Sequence, residues 1–228
     1  MTVSPTPPTT IVEWRMMTKI DPSSSPSGGT AHDSRVAAFQ ADLANAELRD
    51  VIRKHITTGD PVILDRDTYY QLRRAVADKF GLHPSSVILV GSCRTGFSLK
   101  PEKRYAPVSP SSDVDVAVVS PGLFDSYWDS VFQRSLGGGG WINSGGNRGG
   151  KRFISDLFKG WITPRDLPNL PSFSDGRVWA EFFDGLIKQR TCGYRTISAR
   201  LYRSWERLEA YQRIMVSHCR NDLRKGKQ

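Results

Sequence analysis

Cysteine is scarce in this chain. Cys93, Cys192 and Cys219 are the only three in 228 residues. An odd, widely spaced set argues against a disulfide framework or a zinc site and points to a reducing, cytoplasmic setting. Long apolar runs are missing as well. Nothing approaches the ~18 consecutive apolar residues of a membrane span, so no membrane association is expected. The opening MTVSPTPPTT lacks the basic and apolar regions of a secretory signal. No internal repeat is present. Acidic residues are few at one end: positions 186–228 hold eleven Lys or Arg against three Asp or Glu, whereas 1–35 carry three of each sign. Nearly all of the formal charge of +9 therefore lies in the last fifth of the chain. That excess favours polyanionic partners, such as nucleotides, RNA or DNA.

What is present describes a globular protein, with 38% apolar residues and a mean hydropathy of −0.41. Residues 1–34 read as a disordered tail, because Pro, Ser, Thr and Gly cannot bury enough apolar area to offset ordering entropy. Within it, Ile11 to Ile20 is a candidate docking segment, for the body of the protein or for a protein partner. Residues 35–228 read as one domain, with a core over 66–120 and a helical, basic part over 151–228.

Helical spacing of Val36, Phe39, Leu43, Val51, Ile52 and His55 predicts a helix over 35–56, with His55 as a capping or surface residue. A second helix follows, N-capped by Asp67 or Thr68, striped by Tyr69, Leu72, Val76 and Phe80, and closed by Gly81. Further helices are expected over 123–134, 151–160, 177–189 and 204–223. The third of these turns Val178, Phe182 and Leu186 inward, and the last Trp205, Leu208, Tyr211, Met215 and Cys219. A strand is expected from Cys192 to about Tyr202, and a connector over 161–171. Positions 137–150 hold eight glycines and read as a loop, a candidate lid. Gly145, Gly150 and Lys151 there approach a phosphate-binding loop motif. Arg152 stands where a magnesium-binding hydroxyl belongs, and no strand precedes the motif, so that reading is set aside.

The chain is organised around Val87 to Ser120. Val87-Ile88-Leu89-Val90 has the length of a buried strand, and Gly91-Ser92 ends it in a turn that lets a ligand approach the backbone. Val114, Val116, Val118 and Val119 mark a second strand with Asp113 and Asp115 at its mouth. Residues two apart share a strand face, so both carboxylates point the same way. Their repulsion raises the cost of keeping both ionised. A divalent cation removes that cost, and hard oxygen ligands suit magnesium.

An apolar strand, Gly91-Ser92, a loop, then Asp113-Val114-Asp115 in a second apolar strand resembles the polymerase-beta-like nucleotidyltransferase superfamily. The likeness covers residues 66–120, with a connection of twenty residues between Ser92 and Asp113. It implies an α+β fold, with a small mixed or antiparallel sheet flanked by helices and a helical C-terminal part. It implies a nucleoside triphosphate as substrate, bound by Gly91 and Ser92. It further implies Mg2+ or Mn2+ held by Asp113 and Asp115 as catalytic carboxylates. A third carboxylate belongs on a later neighbouring strand, yet Arg195 to Arg203 contains none. Ser198 or Arg200 stands near that position, with Glu181 and Asp184 as substitutes from the preceding helix. In the last helix, Arg213, Arg220 and Arg224 fall on one flank at ~100° per residue and are candidate polyanion contacts.

Three functions follow as expectations. One is transfer of a nucleoside monophosphate to a hydroxyl acceptor. Another is a catalytically silent nucleotide- or RNA-binding module of the same fold. The last is an interaction protein whose acids are structural.

Overall fold

Two β-branched runs pair first. Val87–Val90 (β1) and Val114–Val119 (β2) are antiparallel, with Val90 opposite Asp115. Trp161–Ile162 (β3) and Ile197–Tyr202 (β4) complete a mixed sheet of order β1-β2-β4-β3. β4 runs parallel to β2 and sets Ser198 beside Asp115, while β3 is antiparallel to β4. This computed structural model describes residues 29–136, 147–167, 174–193 and 195–226. The Ile11 to Ile20 segment and the first ten positions of the glycine-rich stretch lie outside them.

Helices flank the sheet on both faces, and the class is α+β. They are Gly29–Asn45 (α1), Leu48–Ile52 (α2), Arg66–Phe80 (α3), Ser92–Thr95 (α4), Pro121–Leu136 (α5), Asn147–Lys159 (α6), Ser174–Lys188 (α7) and Trp205–Lys225 (α8). Strand alternation divides the apolar residues into two cores. Val87, Leu89, Val114, Val116, Val118, Ile197 and Leu201 face Leu72 and Val76 of α3, Tyr127 of α5, and Trp179 and Phe183 of α7. Ile88, Val90, Ala117, Val119 and Tyr202 face Phe39 of α1, Ile52 of α2, and Leu208 and Val216 of α8. Asp115, Ser198 and Arg200 belong to this second face by the same alternation. Among the described residues no helix is long and apolar enough to cross a membrane.

Several expectations need correction. The helix foreseen over 35–56 starts at Gly29, breaks after Asn45, and resumes as α2 followed by a π-type turn over Arg53–Thr57. The break frees the Ala46 carbonyl, which accepts a hydrogen bond from Arg220 of α8. His55 is neither a cap nor a surface residue. Its Nε2 lies 2.6 Å from Asp42 Oδ2, and the Phe39 ring meets it edge-on. Asp65, and neither Asp67 nor Thr68, caps α3, accepting from the Thr68 amide at 2.8 Å and its hydroxyl at 2.7 Å. The strand expected from Cys192 begins only at Ile197, and Trp161–Ile162, read as connector, is the sheet's other edge. Residues 147–150 form the first turn of α6 and are not loop.

Two helix faces are also rotated from expectation. In α7 the inward residues are Trp179, Phe183 and Leu186, while Val178 is exposed and Phe182 only partly buried. In α8 they are Leu208, Gln212, Val216 and Cys219, with Trp205 exposed and Tyr211 and Met215 partly buried. Both helices carry adjacent apolar residues, so several stripes fit the periodicity equally well and tertiary packing selects one.

The α7 face can be checked directly. Trp179, 1% exposed, should cost about 3–5 kcal/mol when replaced by Ala. Val178→Ala, at a site 37% exposed, should stay within about 1 kcal/mol. Urea unfolding of the two variants measures both, and equal losses would contradict the packing described.

Candidate active site

The site grows out of the row Val90–Asp115–Ser198 across three strands. Asp115 enters β2 among Val114, Val116 and Ala117, all buried. The chain leaves β1 at Gly91 with φ +68°, and a Cβ there would collide with Asp115 Oδ2. Glycine is needed twice over, for the backbone conformation and for the close approach of the carboxylate. The Gly91 carbonyl then accepts from the amides of Arg94 at 3.0 Å and Thr95 at 3.1 Å, which starts the single turn of α4, and Ser92 at its start lines the same cavity as the acids.

Asp113 sits one residue before β2, exposed, and its carboxylate accepts from the Thr196 hydroxyl. The Val114 amide donates to the Thr196 carbonyl at 2.8 Å, so the two strand starts are bound together. Behind them the Cys93 thiol donates to the Asp113 carbonyl at 3.0 Å. Burial pushes that thiol up to about 11, keeping it protonated as a donor.

The twenty-residue connection folds back on itself. The Ser98 amide donates to Ala106 O at 2.9 Å, the Tyr105 amide to Ser98 O at 2.8 Å, and the Val108 amide to Gly96 O at 3.0 Å. Arg104 donates to Leu99 O at 2.8 Å and to Asp222 of α8 at 2.7 Å. Arg195, just before β4, donates to the carbonyls of Ser109 and Ser112. His32 of α1 lies 3.0 Å from the Tyr105 carbonyl. Held this way, the connection brings Lys100 and Lys103 to the rim of a cavity of about 440 Å3. Gly91, Ser92, Asp113, Asp115, Ser198 and Arg200 also line it. The Arg200 guanidinium stacks 4.4 Å over the Tyr211 ring.

Two acids and three cations thus share one cavity. Burial, and then the neighbouring Asp113, push the Asp115 carboxyl up to about 6, against the opposing pull of Lys100 and Arg200. Asp113 and Asp115 are the hard oxygen donors that could hold a divalent cation. Their mutual repulsion is the feature such an ion relieves. Among the described residues no group of three His, Cys, Asp or Glu is placed to hold a metal.

The structure brings together Gly91, Ser92, Asp113 and Asp115. The position beside Asp115 is filled by Ser198, with Arg200 two residues on. Glu181 and Asp184 do not approach: α7 packs on the opposite face of the sheet, where Glu181 pairs with Arg177 and Asp184 with Arg165. The three C-terminal arginines share one helix but differ in exposure. Arg213 and Arg224 are exposed, whereas Arg220 reaches under α8 to Ala46 and its Nε is buried. Lys100 and Lys103 were not singled out from the sequence, although the repeated charge in Lys100-Pro101-Glu102-Lys103 between Ser92 and Asp113 was visible.

Compared with family models, curated proteins and solved structures, the chain matches none.

Two measurements test this geometry. The unfolded chain ionises Asp115 near the ordinary 3.8, whereas the folded chain holds its proton to about 6. Folding therefore takes up a proton in that window, and stability falls as pH rises through it. Without divalent cations, Asp115→Asn should match the wild type below pH ~4 and exceed it by up to about 3 kcal/mol above pH ~6. A pH-independent gap would refute the burial described. Arg220→Ala should cost about 1–2 kcal/mol through the orphaned Ala46 carbonyl. Arg213→Ala and Arg224→Ala should stay within ~0.5 kcal/mol in the same denaturation assay.

Proposed function

We propose that the protein is a metal-dependent nucleotidyltransferase of the polymerase-beta-like type, moving a nucleoside monophosphate from a nucleoside triphosphate onto a hydroxyl acceptor and releasing pyrophosphate. One observation carries the reading: Gly91 lies against Asp115, with Asp113 beside it, in a cavity that also presents Ser92, Lys100, Lys103 and Arg200. Close backbone approach and hydroxyl or amide donors suit phosphate oxygens. The two lysines and Arg200 offset the charge of a triphosphate, and Arg200 is held in place by its stack on Tyr211.

Asp113 and Asp115 would hold magnesium or manganese, which when bound neutralises charge on the transferring phosphoryl group. The chain's own residues supply positioning: Thr196 fixes the Asp113 carboxylate and the sheet fixes Asp115. The three free cysteines are all buried, which agrees with a reducing, cytoplasmic location. The exposed Arg213 and Arg224, outside the cavity, suit an RNA acceptor or another polyanion.

A second reading is favoured by Ser198. Its place beside Asp115 leaves two carboxylates where the superfamily resemblance implies three, as expected of a silent nucleotide- or RNA-binding module. Incubation with each labelled triphosphate, magnesium or manganese, and bulk RNA separates the two. Transfer of label that falls below ~1% in Asp113→Ala and in Asp115→Ala supports the enzyme. Saturable triphosphate binding without transfer supports the silent module. Binding of neither metal nor triphosphate would sink both and return the acids to a structural role.

A further inference from the structure

A second cavity, of about 260 Å3, opens on the other side of α4. Gly91 and Ser92 line the first cavity, whereas Arg94 and Thr95 line the second, and the two have no lining residue in common. Its walls come from α1, from the π-type turn with the following Thr58-Gly59-Asp60, and from α4. Three cations line it: Arg35, Lys54 and Arg94.

Arg94 is 5% exposed, and burial works against its charge. Its Nη1 donates to the Gly59 carbonyl, and among the described residues no carboxylate lies within ion-pair distance of it. The Arg35 Nε is buried without a hydrogen-bond partner among the described residues. Gly96, at φ +84°, makes room for it, since a Cβ there would stand 2.8 Å from Arg35 Nε. Opposing charge is limited: Asp60 lines the cavity and favours the Arg94 charge but is itself exposed, and Asp42 is engaged by Lys54 at 2.8 Å and His55 at 2.6 Å.

Two guanidinium groups, one almost wholly buried and one with a buried unpaired donor, are costly unless a counter-charge completes them. Planar N–H donors lining one cavity match the oxygens of a phosphate group. The cavity exceeds what a halide needs and is of the scale of phosphate or pyrophosphate. We propose that Arg35, Arg94 and Lys54 form a second anion site, separate from the Asp113–Asp115 cavity, that takes a small phosphate-class anion. The inference does not depend on the nucleotidyltransferase reading.

Isothermal titration of the full chain with inorganic phosphate and with pyrophosphate, at constant ionic strength in chloride, tests it. The expected result is saturable binding that weakens about tenfold or more in Arg35→Gln. Binding should weaken severalfold in Lys54→Gln, whose exposed side chain carries little of the fold, and stay unchanged in Lys79→Gln, an exposed cation of α3 outside both cavities. The Lys54 variant decides the matter should Arg35→Gln fold poorly. No saturable binding of either anion would overturn the proposal. So would binding that persists at full strength in both the Arg35 and Lys54 variants, or binding abolished by Lys79→Gln.

Discussion

Asp115 is the constraint around which the molecule is arranged. A carboxylate in the middle of a sheet, flanked by buried Val114 and Val116, faces a desolvation cost that an exposed one does not. Each neighbour answers that cost in a specific way. Gly91 carries no Cβ and so leaves space for the carboxylate oxygen. Ser198 beside it is small and polar. Lys100 and Arg200 favour its charge, and Asp113 opposes it. A partly buried acid with a like-charged neighbour and a cavity in front of it is a poor way to stabilise a fold. It is a good way to keep charge ready for a ligand.

The long connection between Ser92 and Asp113 follows from the same constraint. Lysines delivered by a loose loop would lose most of their value to chain entropy. Here the segment is pinned from three sides, by His32 of α1, Arg104 to α8 and Arg195 before β4. Those anchors connect the segments that flank the signature to the signature itself. The Cys93 thiol bonded to the Asp113 carbonyl closes the circuit from inside.

How much of this was legible in the sequence depended on locality. β1 and β2 could be read because four- and six-residue apolar, β-branched runs admit few alternatives, and Asp113 and Asp115 were then on one face by alternation alone. α3 was readable from its stripe and Gly81, although the cap lay one turn earlier, at Asp65. Long-range choices were not readable. Trp161-Ile162 is a strand only because Tyr202 and Leu201 lie opposite, and two residues carry no period. The break at Ala46 is completed by Arg220, 174 positions away. In α7 and α8 consecutive apolar residues left the inward face to be settled by the sheet. The cations of both cavities come from separate segments, Lys100 and Arg200 in one, Arg35, Lys54 and Arg94 in the other, so no local pattern announces them.

The hydroxyl at position 198 has a consistent electrostatic reading. Parallel pairing puts Ser198 next to Asp115, where neighbouring strands stand ~4.8 Å apart. A carboxylate at 198 would add a third like charge to a pair whose partly buried member, Asp115, already holds its proton to about 6. Such a cluster is tolerable only with enough bound cation to neutralise it. This chain carries instead a hydroxyl at 198 and, on the same face, a guanidinium at 200 fixed by Tyr211 and lying 3.4 Å from the Thr163 hydroxyl. A fixed side-chain cation does part of what a metal ion does: it lowers the cost of ionising Asp115 and offers positive charge to an incoming phosphate. It does so permanently and in one geometry, whereas a metal ion comes and goes with the ligand. The balance of the site is thereby shifted from acids that need metal toward cations that need an anion, and the basic second cavity behind α4 carries the same bias.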